Sequence, residues 1–242
     1  MPSPGATPEV AAPPASSEAE RELKFTLTEA RAHIARRWLE STCRRDPEFP
    51  TAIVWTVYYD TPALAALGEK INSDFLKRKI RVRWYAGLNG VAAGPAFVEA
   101  KFRVGTQRAK IRERLSYSAE EVAGWDLEDP RLRSFPALLR DRGVLGQESW
   151  VPMLLIRYRR DRFVEPISRS RVSLDTDIAA AAVNSRFISV SDPSPLGTAV
   201  LEVKGASDRL PVALQSLLQI GAHKRSFSKF LGVYAHTTRQ IL

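Results

Sequence analysis

Short segments in which apolar and charged residues alternate dominate the chain from residue 20 onward. In residues 79–85, for example, Ile80, Val82 and Trp84 alternate with three cationic residues. Because successive side chains of a strand point to opposite faces, this period of two predicts β-strands with one apolar face. The pattern predicts eight strands, at residues 20–27, 53–60, 79–85, 97–104, 110–116, 154–164, 171–177 and 199–204.

Helix signals are fewer than strand signals. They comprise a Thr at a helix N-cap, a Ser–Glu capping box and apolar residues at helical spacing. A further apolar run has a proline at its start and a glycine just past its end, as is typical of a helix. These signals predict helices from Thr28 to about residue 44, after Ser118, across 212–220 and across 226–238. Many strands with few helices favour an α+β fold, in which an antiparallel sheet or barrel has helices packed outside.

The first 19 residues differ in composition from the rest of the chain. They contain five prolines among Ala, Ser and Gly, without the basic start and apolar core of a secretory signal. Such a composition cannot bury enough apolar surface to fold. We therefore expect a disordered leader at residues 1–19 and a single domain at residues 20–242.

Charge indicates the class of ligand. The 242 residues include 36 Lys and Arg against 27 Asp and Glu, for a net charge of +9, and 27 of the cations are arginine. Guanidinium groups bind phosphate oxygens in pairs, so this bias favours phosphate-rich partners. There is no P-loop, no G-x-G-x-x-G motif after a strand and no zinc-ligand spacing, and no apolar run approaches the length of a spanning helix. Side chains must therefore hold any phosphate.

The cations also follow the phase of the strands. Several predicted strands place Lys or Arg at every second position, and three carry an acid two residues before a lysine, as in Glu202 and Lys204. A solvated sheet face explains any one such strand. Repetition over six strands is less typical of a solvated face, because like charges on neighbouring strands repel. If the sheet closes into a barrel, these faces would converge on a basic, water-filled passage.

Seven blocks of sequence, in order, resemble a known family. They are Glu-x-Glu-x-Lys at 20–24, Tyr-Tyr-Asp-Thr-Pro at 58–62, Lys-Ile-Arg-Val-Arg-Trp-Tyr at 79–85, Val-Glu-Ala-Lys at 98–101, Arg-Val-Ser-Leu-Asp-Thr-Asp at 171–177, Leu-Glu-Val-Lys at 201–204 and Ser-Lys-Phe at 228–230. Together they resemble the VTC-domain polyphosphate polymerases of the triphosphate tunnel metalloenzyme (CYTH-like) superfamily, over about residues 20–234. The resemblance implies an α+β fold with a closed antiparallel barrel of eight strands, which forms a tunnel for a triphosphate or polyphosphate chain.

The resemblance also implies roles for individual residues. The implied phosphate ligands are Lys24, Arg81, Arg83, Lys101, Lys110, Arg112, Arg157, Arg171, Lys204 and Lys229, and all of these except Lys110 and Arg112 are also expected to act in catalysis. Glu202 would hold a divalent metal, Mn²⁺ or Mg²⁺, with Glu22 and Glu99 as helpers. Asp60 and Asp175 are expected to be structural. The family pattern has a basic residue at or next to Ser226, whereas here Lys224 and Arg225 come slightly earlier.

The implied activity is transfer of the γ-phosphoryl group of ATP onto a growing polyphosphate chain. The expected partners are ATP, polyphosphate, pyrophosphate or triphosphate, without nucleic acid or a membrane span, and the expected location is the cytoplasm. Two alternatives use the same fold: an inorganic or organic triphosphatase, and a non-catalytic polyphosphate-binding module. A nucleic-acid-binding protein fits less well, because the cations follow strand phase and do not form an exposed patch with stacking aromatic residues.

Overall fold

The computed structural model describes residues 21–72, 75–105, 107–140, 145 and 148–240, with the backbone alone at 76, 104, 107 and 108. The expected leader therefore lies outside the described residues. The described residues form ten strands: β1 Arg21–Thr28, β2 Arg44–Arg45, β3 Thr51–Asp60, β4 Leu76–Ala86, β5 Pro95–Val104, β6 Gln107–Ser118, β7 Val151–Val164, β8 Arg171–Val183, β9 Thr198–Gly205 and β10 His223–Lys224. The helices are α1 Glu29–Thr42, α2 Ala65–Ile71, α3 Ala119–Ala123, α4 Pro130–Arg140, α5 Ser216–Gln219 and α6 Lys229–Thr238.

All ten strands belong to one antiparallel sheet with the order β10-β1-β9-β8-β7-β3-β4-β5-β6, and β2 pairs with β7. The expectation of a closed eight-stranded barrel is wrong, because the described residues form no ladder between β6 and β1. The outer edge of β1 pairs instead with β10, where Phe25 faces Lys224 and Thr26 faces His223. A strand edge that already has this partner cannot also pair with β6 along the same residues, so the sheet is strongly curled but open. The α+β class is confirmed.

The eight predicted strands are confirmed, each within a few residues of its predicted bounds except that β8 runs on to Val183. The capping box is also confirmed, since the Ser118 hydroxyl accepts from the Glu121 backbone N–H and the Glu121 carboxylate accepts from the Ser118 N–H. Thr28 lies at the start of α1, but its side chain makes no capping hydrogen bond. The predicted helix at 212–220 is instead a 3₁₀ turn followed by the one-turn helix α5.

Apolar side chains pack on both faces of the curled sheet. On the convex face, α1 covers β1, β9 and part of β8, while α3 and α4 cover β3 to β6. On the concave face, α6 places Phe230, Val233 and Tyr234 against apolar residues of β3, β7 and β9. One part of the concave face is therefore filled by a helix, and the rest stays open for polar side chains. Within the part of the chain that is described, no helix combines the length and hydropathy needed to cross a membrane.

Asp60 has the structural role expected from the sequence. Its carboxylate is buried at the end of β3 and accepts hydrogen bonds from the backbone N–H groups of Thr61, Ala66 and Leu67 at 2.7–2.9 Å. These bonds satisfy otherwise unpaired donors at the start of α2. They connect β3 to α2, whose last turn carries Lys70 toward the open part of the concave face.

Candidate phosphate-binding site

The open part of the concave face is a cavity of about 850 Å³, which we call the phosphate cavity. Among the described residues, twelve lysines and arginines line it, with Glu22 as the single carboxylate. Of the residues expected to bind phosphate, five line this cavity, namely Lys24, Lys101, Lys110, Arg171 and Lys204. A cavity with this charge excess repels itself unless an anion is present. It therefore suits a polyanionic ligand.

Cations from opposite flanks of the open sheet come close to one another across the cavity. The pKa of Lys79 on β4 lies well below its usual value because the group is buried and because of the charges of Arg81, Lys24, Lys101 and Lys229. Lys24 belongs to β1, at the other flank of the sheet. Cations from both flanks of the curled sheet thus interact across the cavity, although the described residues show no hydrogen bonds between the two edge strands.

Lys101 on β5 is a second lysine of the cavity whose pKa is lowered. Partial removal from water, together with the charges of Arg81 and Lys204, lowers the pKa of Lys101 to about 8. A bound polyphosphate would favour the charged ammonium and raise this pKa again. Binding at a pH near 8 should therefore be accompanied by uptake of a proton at Lys101.

This linkage predicts that the affinity for ATP falls as the pH rises from 7 to 9, and that ATP binding at pH 8 takes up part of a proton. Calorimetric titrations with EDTA present, in two buffers of different ionisation enthalpy, measure that uptake. Lys101→Met should reduce the proton uptake and flatten the pH dependence, while binding ATP more weakly at pH 7. An uptake that is the same in wild type and Lys101→Met would show that the proton is bound elsewhere.

A buried carboxylate, Glu99, organises the arginines deeper in the concave face. Glu99 on β5 is 3% exposed and forms ion pairs with Arg81 at 2.6 Å, Arg112 at 3.3 Å and Arg83 at 3.8 Å. Burial alone would raise its pKa, but the charges of Arg81 and Arg83 outweigh burial and hold the pKa at about 2. Glu99 therefore stays ionised and holds three guanidinium groups together on the concave face. Because three arginines already pair with the Glu99 carboxylate, we do not expect it to bind a metal.

A second network joins β7, β8, β9 and α6. Asp175, fully buried, accepts from Arg160 at 2.6 Å and pairs with Lys229 at 2.5 Å. Glu202 lies within 4.0 Å of Lys24, Arg160 and Lys229. Asp175 thus positions two cations beside Glu202, which agrees with the structural role expected for it.

Arg157 does not reach this site. The strand register pairs Arg157 with Trp55, and Trp55 stacks on Trp84 within the core of the convex face. The alternate residues of β7, including Arg160 and Arg162, share the concave face. The physical reason is that apolar residues of α6 cover Ile156 and Tyr158 on the concave face. The face of β7 that carries these apolar residues therefore points inward, and Arg157 lies on the opposite face from the one expected.

Sequence reasoning also missed cations that the structure brings to the cavity. Lys77, Lys79 and Lys70 line it, and Lys79 continues the alternation that singled out Arg81 and Arg83. Arg160 lies two residues after Tyr158, so the two side chains share one face of β7, and this spacing could have identified Arg160. Near the C-terminus, Lys224 and Arg225 line the cavity next to Ser226, the position near which the family pattern has a basic residue.

A divalent metal fits the residues present only if the ligand contributes oxygens. No group of three or more acidic, His or Cys side chains within the described ranges is arranged to hold an ion. Glu22 and Glu202 are diagonal neighbours on β1 and β9, and both contact Lys24, at 2.8 and 3.4 Å. Because Mg²⁺ is commonly bound by one or two carboxylates together with substrate phosphates, this pair fits Mg²⁺ or Mn²⁺ once a phosphate chain is present.

The chain is similar to known proteins in its sequence family and in its fold. The VTC domain family matches residues 19–237. No protein of curated function matches the sequence significantly. A solved structure from Bacillus halodurans, described as a candidate adenylate cyclase, is 12% identical, with coverage of 87% of this chain and 93% of that chain and a TM-score of 0.50. One from Vibrio parahaemolyticus with the same description is 12% identical, over 88% and 97% of the two chains, with a TM-score of 0.43. The Bacillus structure shows similarity of fold alone.

Proposed function

The chain belongs to the VTC domain family, and we propose that it is a metal-dependent polyphosphate polymerase. In this reaction the γ-phosphoryl group of ATP is transferred to the end of a polyphosphate chain, and ADP leaves. The bond between the β,γ-bridging oxygen and the γ-phosphorus breaks, while a bond from a terminal polyphosphate oxygen to that phosphorus forms. A cytoplasmic location, where ATP is abundant, stays a prediction.

The observation that carries the proposal is the arrangement of cations around the phosphate cavity. The described lining, with twelve lysines and arginines against one carboxylate, can neutralise several phosphate groups of a chain at once. Phosphoryl transfer needs little covalent help from the protein, since positioning and neutralisation of the phosphate oxygens dominate its catalysis. Lys24, Lys101 and Lys204 approach the cavity from different strands, so they can hold donor and acceptor phosphates in one geometry.

A specific feature favours transfer to phosphate over hydrolysis. Every described carboxylate of the concave networks, namely Glu22, Glu99, Asp175 and Glu202, is within 4.0 Å of at least two cations. A general base that activates water needs a pKa near the working pH, and a carboxylate such as Glu99, with a pKa of about 2, is too weak a base. A polyphosphate end is already ionised and needs no such base.

Glu202, with help from Glu22, is the pair that we assign to the divalent metal. A bound Mg²⁺ or Mn²⁺ would withdraw charge from the phosphate oxygens of the substrate. Lys229 and Arg160, both anchored by Asp175, lie next to Glu202 and can hold a phosphate at the same place. Glu99 is left out of the metal assignment, because three arginines surround it.

The test is to incubate the protein with ATP and either Mn²⁺ or Mg²⁺ and to separate the products on a gel beside polyphosphate standards. We expect a ladder of chains that grows with time and disappears after exopolyphosphatase treatment. Free orthophosphate without chains would identify a triphosphatase instead. Binding of polyphosphate without consumption of ATP, under either metal, would favour a binding module.

A further inference from the structure

A second cavity, of about 670 Å³, adjoins the phosphate cavity, and we call it the side cavity. The two cavities share a wall formed by Lys70, Arg225, Ser226, Ser228 and Leu231. A single ligand can therefore extend from one cavity into the other past this wall. The volume of the side cavity lies within the usual range for small-molecule sites, about 300–1,000 Å³.

The side cavity differs from the phosphate cavity in its charge. Beyond the shared wall, Arg31 is the one further Lys or Arg among the described residues that line it, and its guanidinium donates to the Ile220 carbonyl at 3.1 Å. No carboxylate is present among those residues. This lining does not suit a second polyanion. It suits a mostly neutral group attached to one.

Hydroxyl groups and apolar surface form the rest of the side cavity. Thr26, Thr28 and Thr198 line it, and none of their hydroxyls makes a side-chain hydrogen bond within the described part of the chain. Phe227 supplies a flat, half-buried ring. The ring packs directly on the backbone of α6, since a Cβ atom at Gly232 would lie 2.9 Å from it.

We propose that the side cavity binds the nucleoside part of ATP, with the triphosphate extending into the phosphate cavity. A nucleoside combines a flat ring system, which packs on apolar surface, with ribose hydroxyls and polar ring edges that can bond to threonine hydroxyls. Lys70 and Arg225, at the shared wall, lie where the phosphate nearest the ribose would be. This inference rests on the proposed function, because it assigns a subsite to its nucleotide substrate.

The test compares two ligands that share phosphates but differ in the nucleoside: β,γ-imido-ATP, which cannot transfer its terminal phosphoryl group, and tripolyphosphate. Ala235→Leu keeps a good helix-forming residue in α6 and extends a side chain into the side cavity. We expect it to raise the Kd for imido-ATP at least tenfold and to leave the Kd for tripolyphosphate within twofold. Gln219→Leu, on the exposed surface of α5 outside both cavities, should change neither Kd.

A second variant guards against a folding effect of the first. Thr26→Val keeps a β-branched residue in β1 and removes one hydroxyl, and we expect it to weaken imido-ATP several-fold without weakening tripolyphosphate. Equal losses for both ligands, or an unchanged Kd for imido-ATP in both variants, would overturn the nucleoside assignment while leaving the proposed function intact. Failure of wild type to bind tripolyphosphate would contradict the proposed function itself.

Discussion

Replacing Glu202 by Gln should reduce polyphosphate synthesis by at least a hundredfold while leaving anion binding intact. The substitution keeps the shape of the side chain but removes the charge that a divalent cation needs. Metal stabilisation of the transferring phosphoryl group is worth several kcal/mol, and each 1.36 kcal/mol is about tenfold in rate. Because Arg160 and Lys229 keep their partner Asp175, the network around position 202 remains paired.

Steady-state synthesis and tripolyphosphate affinity, measured together, test this prediction. The affinity should be unchanged or higher in Glu202→Gln, since one negative charge has left the site. Glu40→Gln is the matched control. Glu40 lies on the surface of α1 and pairs with Arg45 of β2, and such surface pairs contribute under about 1 kcal/mol to stability. Full synthetic activity in Glu202→Gln would remove Glu202 from the metal-binding role.

The second large effect expected is stabilisation of the fold by polyphosphate. Without a ligand, the cations of the phosphate cavity repel one another, and burial together with the charges of neighbouring cations lowers the pKa of Lys79 and Lys101. A ligand at 100 times its Kd adds about 2.7 kcal/mol to the free energy of unfolding. For a chain of this size, that corresponds to a rise in Tm of roughly 5–10 °C.

Thermal unfolding with millimolar tripolyphosphate, against sodium chloride of equal ionic strength, checks this expectation. Lys204→Ala removes a cation of the cavity and should diminish the rise. Arg186→Ala, which removes an exposed pair with Glu128 outside the cavity, should leave the rise as in wild type. If sodium chloride raised the Tm as much as tripolyphosphate does, screening of charge would explain the effect without a specific site.

Local sequence patterns predicted the eight long strands, and the family resemblance implied five of the twelve described Lys and Arg residues that line the phosphate cavity. Alternation identified the eight long strands, because each has an apolar and a polar face. On β4 and β9 the same phase also placed Arg81 and Lys204 on the concave face. The arrangement of these strands depends on tertiary contacts, so alternation could not show that His223 and Lys224 would occupy the edge of β1 and leave the sheet open.

The assignment on β7 failed for a similar reason. The sequence there offers two phases: Arg157 and Arg159 alternate with Ile156 and Tyr158, whereas Arg160 continues the phase of Ile156 and Tyr158. Which phase faces inward is decided by α6, whose Phe230 and Tyr234 pack on the concave side some seventy residues later in the chain. Prediction from a single strand assumes that apolar residues face away from the charged interior. That assumption does not hold where a helix fills part of the interior.

The fate of the γ-phosphorus of ATP distinguishes polyphosphate synthesis from hydrolysis. Phosphorus NMR of one reaction containing ATP, Mg²⁺ or Mn²⁺ and a short polyphosphate primer follows ADP, orthophosphate and internal polyphosphate groups together. We expect internal polyphosphate signals to grow in step with ADP, with little orthophosphate. Orthophosphate released in equal amount to ADP, with no growth of internal polyphosphate signals, would contradict this expectation.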